Sequence, residues 1–528
     1  MKKVLLVVIS AIFLVVSVTA IINKNQPNII SEVPLPFKEE VGYGVSVSDP
    51  IAAKVGMDVL ENGGNAVDAA IAISYVLGVV EPYGSGVGGG GGMLIAKEDK
   101  NPTFIDYREV APESEEGTIG VPGFVKGMAY VHEEYGKKPL DELIQPAIDY
   151  ADKGFEVGSV LYSRLQASRG RMPVDDLKSF YPNEQAIAVG GVLKQPELAD
   201  VLRIIQEEGP DGFYEGDVAK ALADQTDISL EDLNEYEIEE REPVMSTYDG
   251  YEIISAPPPF SGTTLIQMLK MMEKEQIEQI AKDDPNKYYY SMGQIKKIAY
   301  QDRISNISDP NFEEQSPDEW VADDYIGKLT ERLHEKNLDS GQKDDEEHES
   351  TTHFVVIDKE GTTVSTTNTL SNFFGIGKQV KGFFLNNNAD TFGSSGVNTM
   401  EGGKRARTFT APTIIRDQGE WVMGIGSPGG TRIPQILSQV MNHHFQGDVS
   451  LKDAVEQSRF IFDKGDMVIE PELEGSIQDV ISNGDYNISI RRSDVFYGGV
   501  QALTKDLRTN QISGVGDPRR GGVWESGR

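Results

Sequence analysis

The stretch DDEEHESTTHFVVID, residues 344–358, changes character at a single peptide bond. Asp344, Asp345, Glu346, Glu347 and Glu349 form a run that resists strand formation. From Thr351 onward the pattern alternates as a strand requires. Residues 308–350 are polar and acidic, with little periodicity after Leu333. They read as a surface segment ending in a flexible, protease-accessible tail. A core strand that starts so abruptly, well inside a 528-residue chain, marks where one half of the protein ends and the other begins.

The second half opens as a hairpin. Phe354 and Val356 before the turn DKEGT, and Val364 after it, supply the apolar face. With the turn centred on Glu360, paired residues sum to 720, as Asp358 with Thr362. Thr369 then lies opposite Thr351, with β-carbons roughly 5 Å apart and two hydroxyls face to face. A Thr–Thr pair also serves a sheet for purely structural reasons.

The rest of the chain reads as α/β. Asp49-Pro50 caps and opens a helix through Leu60. ENGGNAVDAAIAISYVLGVVEP breaks at Gly63-Gly64 and continues as a helix apolar nearly all round, hence buried. MLIAKEDKNPTFIDYRE is strand, turn, strand, and the pattern from Gly123 to about Leu233 is mainly helical. YEIISAPPPFSGTTLIQMLKMM runs from strand through a proline-rich turn into a helix. At the N-terminus, Lys2 and Lys3, an apolar run from Val4 to Val18 and the small-residue site Val18-Thr19-Ala20 read as an export signal. The run to Ile22 also suits an uncleaved anchor. Residues 1–20 are thus a signal or anchor and 21–40 a linker, with the working protein expected outside the cytoplasm.

Composition narrows the chemistry. A net charge of −35, from 49 Lys+Arg against 84 Asp+Glu, argues against nucleic acid as a partner. The absence of cysteine excludes disulfides, thiolate metal sites and a cysteine nucleophile. GSGVGG, Gly84 to Gly89, matches a dinucleotide fingerprint, but a helix precedes it and a strand follows, the reverse of what that motif needs. No serine has glycine at both −2 and +2, as a G-x-S-x-G hydrolase requires. His348 and His353, with glutamates nearby, lack the i,i+4 spacing of a helical metal pair, and no metal is expected. GIGSPGGTR, Gly424 to Arg432, can turn two successive N–H groups outward as an oxyanion hole, or be a simple tight turn. Arg405, Arg407 and Arg432 cluster in sequence, as carboxylate binding needs. The remaining option is a threonine whose own α-amino group is the base, which an internal residue gains only if the bond before it is cut. Ser350–Thr351 is such a boundary.

The motifs ENGGNAVDAAIA, SGVGGGGGMLI, FIDYRE, GVPGFVKGM, APPPFSG, ESTTHFVVID, GFFLNNN, GSPGGTRIPQ and GVGDPRR occur in order from about residue 41 to the C-terminus. On them the chain resembles the γ-glutamyltransferases, and among these the members that act on the capsule polymer poly-γ-glutamate. The resemblance implies an N-terminal-nucleophile hydrolase: an αββα sandwich, one large domain formed by two self-cleaved subunits, residues 41–350 and 351–528, with no cofactor. It makes Ser350–Thr351 the cleavage site, Thr351 the nucleophile, Thr369 the hydroxyl that positions it, and Gly429 and Gly430 the oxyanion hole. Arg108 becomes the grip on the glutamyl α-carboxylate. Asn388, Arg407, Thr408, Thr431, Arg432 and Arg520 are the further substrate-binding candidates.

The departures from the family pattern point to the substrate. Where small-substrate members carry an aspartate for the donor's free ammonium, this chain has Thr391, in Asn386-Asn387-Asn388-Ala389-Asp390-Thr391-Phe392. Their adjacent serine pair is replaced by Thr408-Phe409. Only eleven residues separate Phe392 from Lys404, too few for the lid loop of some relatives. Inside a γ-linked chain every nitrogen is an amide, so no ammonium needs a partner, and an open cleft suits a polymer. The expected partners are the chain's own two subunits, the polymer, and an acceptor such as the cell wall or a small amine. Small γ-glutamyl compounds such as glutathione are the enzymatic alternative, and an inactive polymer-binding protein the non-enzymatic one.

Overall fold

A computed structural model describes residues 41–98, 100–334, 350–475, 477 and 486–528. The expected signal or anchor, the linker and the acidic run through Glu349 lie outside the described residues. From Val41 onward the chain forms one compact unit.

Local rules account for the first helices. The Asp49 carboxylate accepts the N–H groups of Ile51 and Ala52 at 2.7 and 3.2 Å, and Pro50 opens helix Pro50–Glu61. Asn65 and Asp68 close a capping box on helix Ala66–Val80, whose sides are buried almost throughout. This helix lies on one face of a seven-stranded antiparallel sheet, covered in turn by Pro50–Glu61 and Leu140–Lys153. The sheet order is Val523–Gly527, Tyr43–Val47, Ser350–Ile357, Thr363–Ser371, Gly90–Ala96, Thr103–Asp106, Glu239–Arg241.

A second antiparallel sheet runs Ile512–Gly516, Gln501–Lys505, Glu420–Gly426, Thr413–Asp417, Tyr251–Ser255, Val244–Tyr248. Helices Gly262–Glu275 and Ile433–Phe445 cover its outer face. The two sheets meet through Leu94, Phe104, Ile254, Phe260 and Ile414, and through Val355 and Ile357 against Leu503 and Ile512. Strand Ser350–Ile357 therefore faces helices with Phe354 and Val356 and the other sheet with Val355 and Ile357, which is why all eight residues are buried. The layering is helix, sheet, sheet, helix, the expected αββα sandwich.

The hairpin turn closes as expected, with Asp358 Oδ1 accepting the N–H groups of Glu360 and Thr362 at 2.9 Å each. Pairs sum to 720 from Ile357–Thr363 to Thr352–Asn368. There the register breaks, and Ser350 pairs with Ser371 instead. Thr351 and Thr369 thus do not form the regular cross-strand pair that the count predicts. The irregularity places Ser371 at φ 70° and turns Thr369 toward the residue before Thr351. Gly89 leads straight into strand Gly90–Ala96, and a helix precedes the motif, which rules out the dinucleotide reading. A side chain at Gly89 would come within 2.2 Å of the Thr369 carbonyl oxygen, so this strand lies flush against Thr363–Ser371.

Candidate active site

The Ser350 carbonyl oxygen is the focus of the site. It accepts hydrogen bonds from Thr351 Oγ1 at 2.7 Å and from Thr369 Oγ1 at 2.6 Å. Thr369 Oγ1 in turn accepts the Ser371 N–H at 2.9 Å, so its own proton is directed at the Ser350 oxygen. Two hydroxyls therefore polarise the carbonyl before Thr351, and the Thr351 oxygen is held beside the peptide group it would attack. Thr351 keeps 5% of its surface exposed, at a cleft of about 430 Å³. His353 is no member of the site: its Nδ1 meets Thr367 Oγ1 at 2.8 Å, and burial pushes its imidazole down to about 3, leaving it neutral.

Opposite Thr351, strand Glu420–Gly426 runs into Ser427-Pro428-Gly429-Gly430 and then helix Ile433–Phe445. Gly429 at φ 150° and Gly430 at φ 57° take conformations that other residues rarely adopt. Gly430 and Thr431 line the cleft, while Gly429 is buried behind them. Backbone N–H groups at this corner, with the positive end of a helix dipole beyond, are suited to a developing oxyanion.

Arg108 reaches the cleft from the end of strand Thr103–Asp106 and is 2% exposed. One arm donates to Asn388 Oδ1, which also accepts from Ser371 Oγ at 3.3 Å. Its Nε lies 3.8 Å from Glu109 Oε2 and has no hydrogen-bond partner. Burial pushes the Arg108 guanidinium down and the Glu109 carboxyl up, so each weakly compensates the other. Asn388 begins a short helical turn whose last residue, Thr391, donates its hydroxyl to the Asn388 carbonyl at 2.6 Å. Thr408 also lines the cleft.

Arg407 lines the cleft too, anchored by Nη1 to the Ile304 carbonyl at 2.8 Å. The rest of the expected arginine set lies outside that lining. Arg432, 1% exposed, lies outside the cleft lining with its guanidinium stacked 4.3 Å over Phe496. Burial, with Arg520 and Arg491 nearby, pushes it down to about 9. Arg520 also lies outside the lining and donates to the Val495 carbonyl at 3.2 and 2.9 Å. Arg405 is held by Asp106 at 3.4 Å and, through its N–H, by Asp309 at 2.8 Å. These three suit structural ion pairs and stacking as well as they suit a ligand, and sequence proximity cannot tell the uses apart.

Arg303 takes a place the sequence reading missed. It stacks 3.6 Å over Phe409, donates to Ser261 Oγ at 3.1 Å and lines the cleft. The available signal was an arginine on the face of helix Pro285–Asn306 that also carries Ile295 and Ala299. Ser371 was missed because the irregularity that turns it inward is not a local property. Three guanidiniums thus line the cleft, from Arg108, Arg303 and Arg407, and among the described lining residues there is no carboxylate.

Two antiparallel sheets packed between helices define the fold of an N-terminal-nucleophile hydrolase, with Thr351 second in an inner strand. The chain belongs to the Gamma-glutamyltranspeptidase family, whose model matches residues 52–526. It is a γ-glutamyl transferase/hydrolase. It is 50% identical over 489 residues to the capsule biosynthesis protein CapD proenzyme of Bacillus anthracis, covering 92% of this chain and 91% of the relative. It is 33% identical over 539 residues to the glutathione hydrolase proenzyme of Bacillus subtilis (strain 168), covering 91% and 90%. The crystal structure of a cephalosporin acylase from Bacillus halodurans superposes with a TM-score of 0.82 at 24% identity, over 95% of this chain and 99% of that one, a likeness of fold.

Proposed function

We propose that the chain is an exported precursor that cuts itself between Ser350 and Thr351 and then hydrolyses or transfers γ-glutamyl units of poly-γ-glutamate. The observation that carries the substrate is the cleft's charge: three guanidiniums and, among the described lining residues, no carboxylate, in a protein of net charge −35. One glutamyl unit brings one α-carboxylate, whereas a γ-linked chain brings one per unit. A donor's free ammonium would meet no counter-ion among these described residues, and the Thr391 hydroxyl, where small-substrate members carry an aspartate, is already bound to backbone. The similarity to a capsule biosynthesis proenzyme supports the same reading.

In self-cleavage, the Thr351 oxygen attacks the Ser350 carbonyl carbon and the peptide nitrogen leaves as the Thr351 amine, giving an ester. Water then splits the ester into a Ser350 carboxylate and a free Thr351 hydroxyl. The new amine, of unperturbed pKa about 7.7–8.0, is neutral often enough to take the hydroxyl proton. The oxygen then attacks the γ-carbonyl of a donor whose α-carboxylate pairs with Arg108, while backbone N–H groups of the Gly429-Gly430 corner, which meets the cleft at Gly430, stabilise the oxyanion. The leaving amine departs with a proton, and water or an acceptor amine releases the acyl group. Thr369→Ala should slow conversion about three- to tenfold, the worth of one hydrogen bond in the reacting geometry, with the melting temperature little changed. Unchanged conversion, followed on a gel, would remove Thr369 from the mechanism.

The similarity to glutathione hydrolases supports small γ-glutamyl compounds as the alternative. Purified protein assayed on both substrates separates the two, with a higher kcat/KM expected for polymer. Arg407→Leu should raise KM for polymer about tenfold and leave a γ-glutamyl anilide nearly unaffected, since a hydrogen bond to a charged group contributes ~1.5–3 kcal/mol. Thr391→Asp should shift preference toward donors with a free ammonium. Equal efficiency on glutathione, or no shift in either variant, hands the case to the small-substrate reading.

A further inference from the structure

Behind the scissile peptide lies a turn, Glu81 to Gly86, closed by the Gly84 and Ser85 N–H groups donating to the Glu81 carbonyl at 2.8 and 3.4 Å. It abuts the reactive strand, and a side chain at Gly84 would come within 2.7 Å of Thr352 Cγ2. The Tyr83 carbonyl accepts both the Ser350 hydroxyl and the Phe374 N–H, the latter at 3.0 Å. The Tyr83 phenol donates to Glu81 Oε1 at 2.8 Å, and Ser48 Oγ donates to Glu81 Oε2 at 2.9 Å. One carboxylate, 5% exposed, thereby holds the residue whose backbone anchors Ser350.

The geometry points to Glu81 as a positioning residue for self-cleavage, whose charge state governs how firmly Ser350 is held against Thr351. This rests on the self-cleavage reading above. Ionised, the carboxylate accepts from both Tyr83 and Ser48. Protonated, one oxygen becomes a donor, so the hydrogen bond on that side must reverse or weaken. The groups facing it are Ser48 and Asp49 from the start of helix Pro50–Glu61, Tyr83 from its own turn, and Arg520 from the turn Pro518–Arg520, with Arg164 6.0 Å from the Tyr83 ring. Burial, reinforced by the Asp49 charge, raises the Glu81 carboxyl from 4.5 to about 7, against the pull of the Tyr83 and Ser48 hydrogen bonds and of Arg520.

The sign of the linkage gives a discriminating test. A raised carboxyl binds its proton more tightly folded than unfolded, so its stabilisation is complete below 4.5 and is lost as pH rises to about 7. The ionised form that positions Ser350 is thus the less stabilising one. Stability and conversion rate should depend on pH in opposite directions.

Full-length precursor made by cell-free translation between about pH 5.5 and 8.5 can be followed on gels as it converts. Wild type should show a rate component with its midpoint near 7. Glu81→Gln should lose that component and convert about three- to tenfold more slowly at pH 8, with a melting temperature equal to or above wild type. Tyr83→Phe should lose the same component with residue 81 intact. An unchanged rate profile in both variants overturns the inference, as does slow conversion that merely tracks a lowered melting temperature. A wild-type small fragment that does not begin at Thr351 overturns the self-cleavage reading itself, whereas normal wild-type conversion with an unaltered Glu81→Gln sinks only the role given to Glu81.

Discussion

Thr351→Ala is expected to purify as one unbroken chain without γ-glutamyl transfer activity. Wild type should give two fragments, the smaller beginning at Thr351 and containing 528 − 350 = 178 residues. The effect is large because one hydroxyl serves twice. In the proposed mechanism it attacks the Ser350 carbonyl in the precursor and the donor carbonyl in the mature enzyme, and without the first step the second never gains its amine. Activity should fall by at least ~10⁴-fold, the scale seen when a nucleophile is removed. The fold should survive, since Thr369 still donates to the Ser350 oxygen and one lost hydrogen bond costs only ~0.5–1.5 kcal/mol. Thr351→Ser should restore both reactions in part. If Thr351→Ala still yields a fragment starting at residue 351, the nucleophile has been misassigned.

The second large effect belongs to Arg108. Arg108→Lys keeps the charge beside Glu109 but loses the planar fork that grips a carboxylate through two parallel hydrogen bonds. The expected outcome is a ~10²-fold lower kcat/KM for polymer and for γ-glutamyl anilide alike, carried mainly by KM, with conversion of the precursor at the wild-type rate. That split follows from the contacts. Arg108 touches Asn388 and Glu109, whereas the Ser350 carbonyl is held by Thr351 and Thr369. Steady-state kinetics on both donors, beside a conversion gel, test it. A variant that converts slowly yet binds donor normally would place Arg108 in the scaffold.

Much of the architecture was legible because its signals are short-range. The Asp49 cap, the break at Gly63-Gly64 and the turn DKEGT each depend on residues within a few positions, and all formed where expected. The strand Ser350–Ile357 was legible for the same reason, since its β-branched residues favour extended backbone. The hairpin register held from the turn as far as Thr352, where regular geometry still propagates it.

Other features were decided by contacts far apart in the chain. The register break that brings Thr369 onto the Ser350 oxygen is secured from outside the hairpin. The Asn372 N–H donates to Asn387 Oδ1 at 2.8 Å, and Ser371 Oγ reaches Asn388. The fate of each arginine was settled the same way. Arg405 found Asp106 and Asp309, and Arg432 found Phe496, while Arg303, on a helix with no motif, reached the cleft. A guanidinium in sequence carries the same charge and fork whether it will hold a ligand or an internal carboxylate. The sequence by itself determined the first helices and the hairpin, because those follow from local backbone preference. Only the tertiary structure decided which cations face the cleft, because that depends on which acidic and aromatic partners the packed layers bring within a few ångströms.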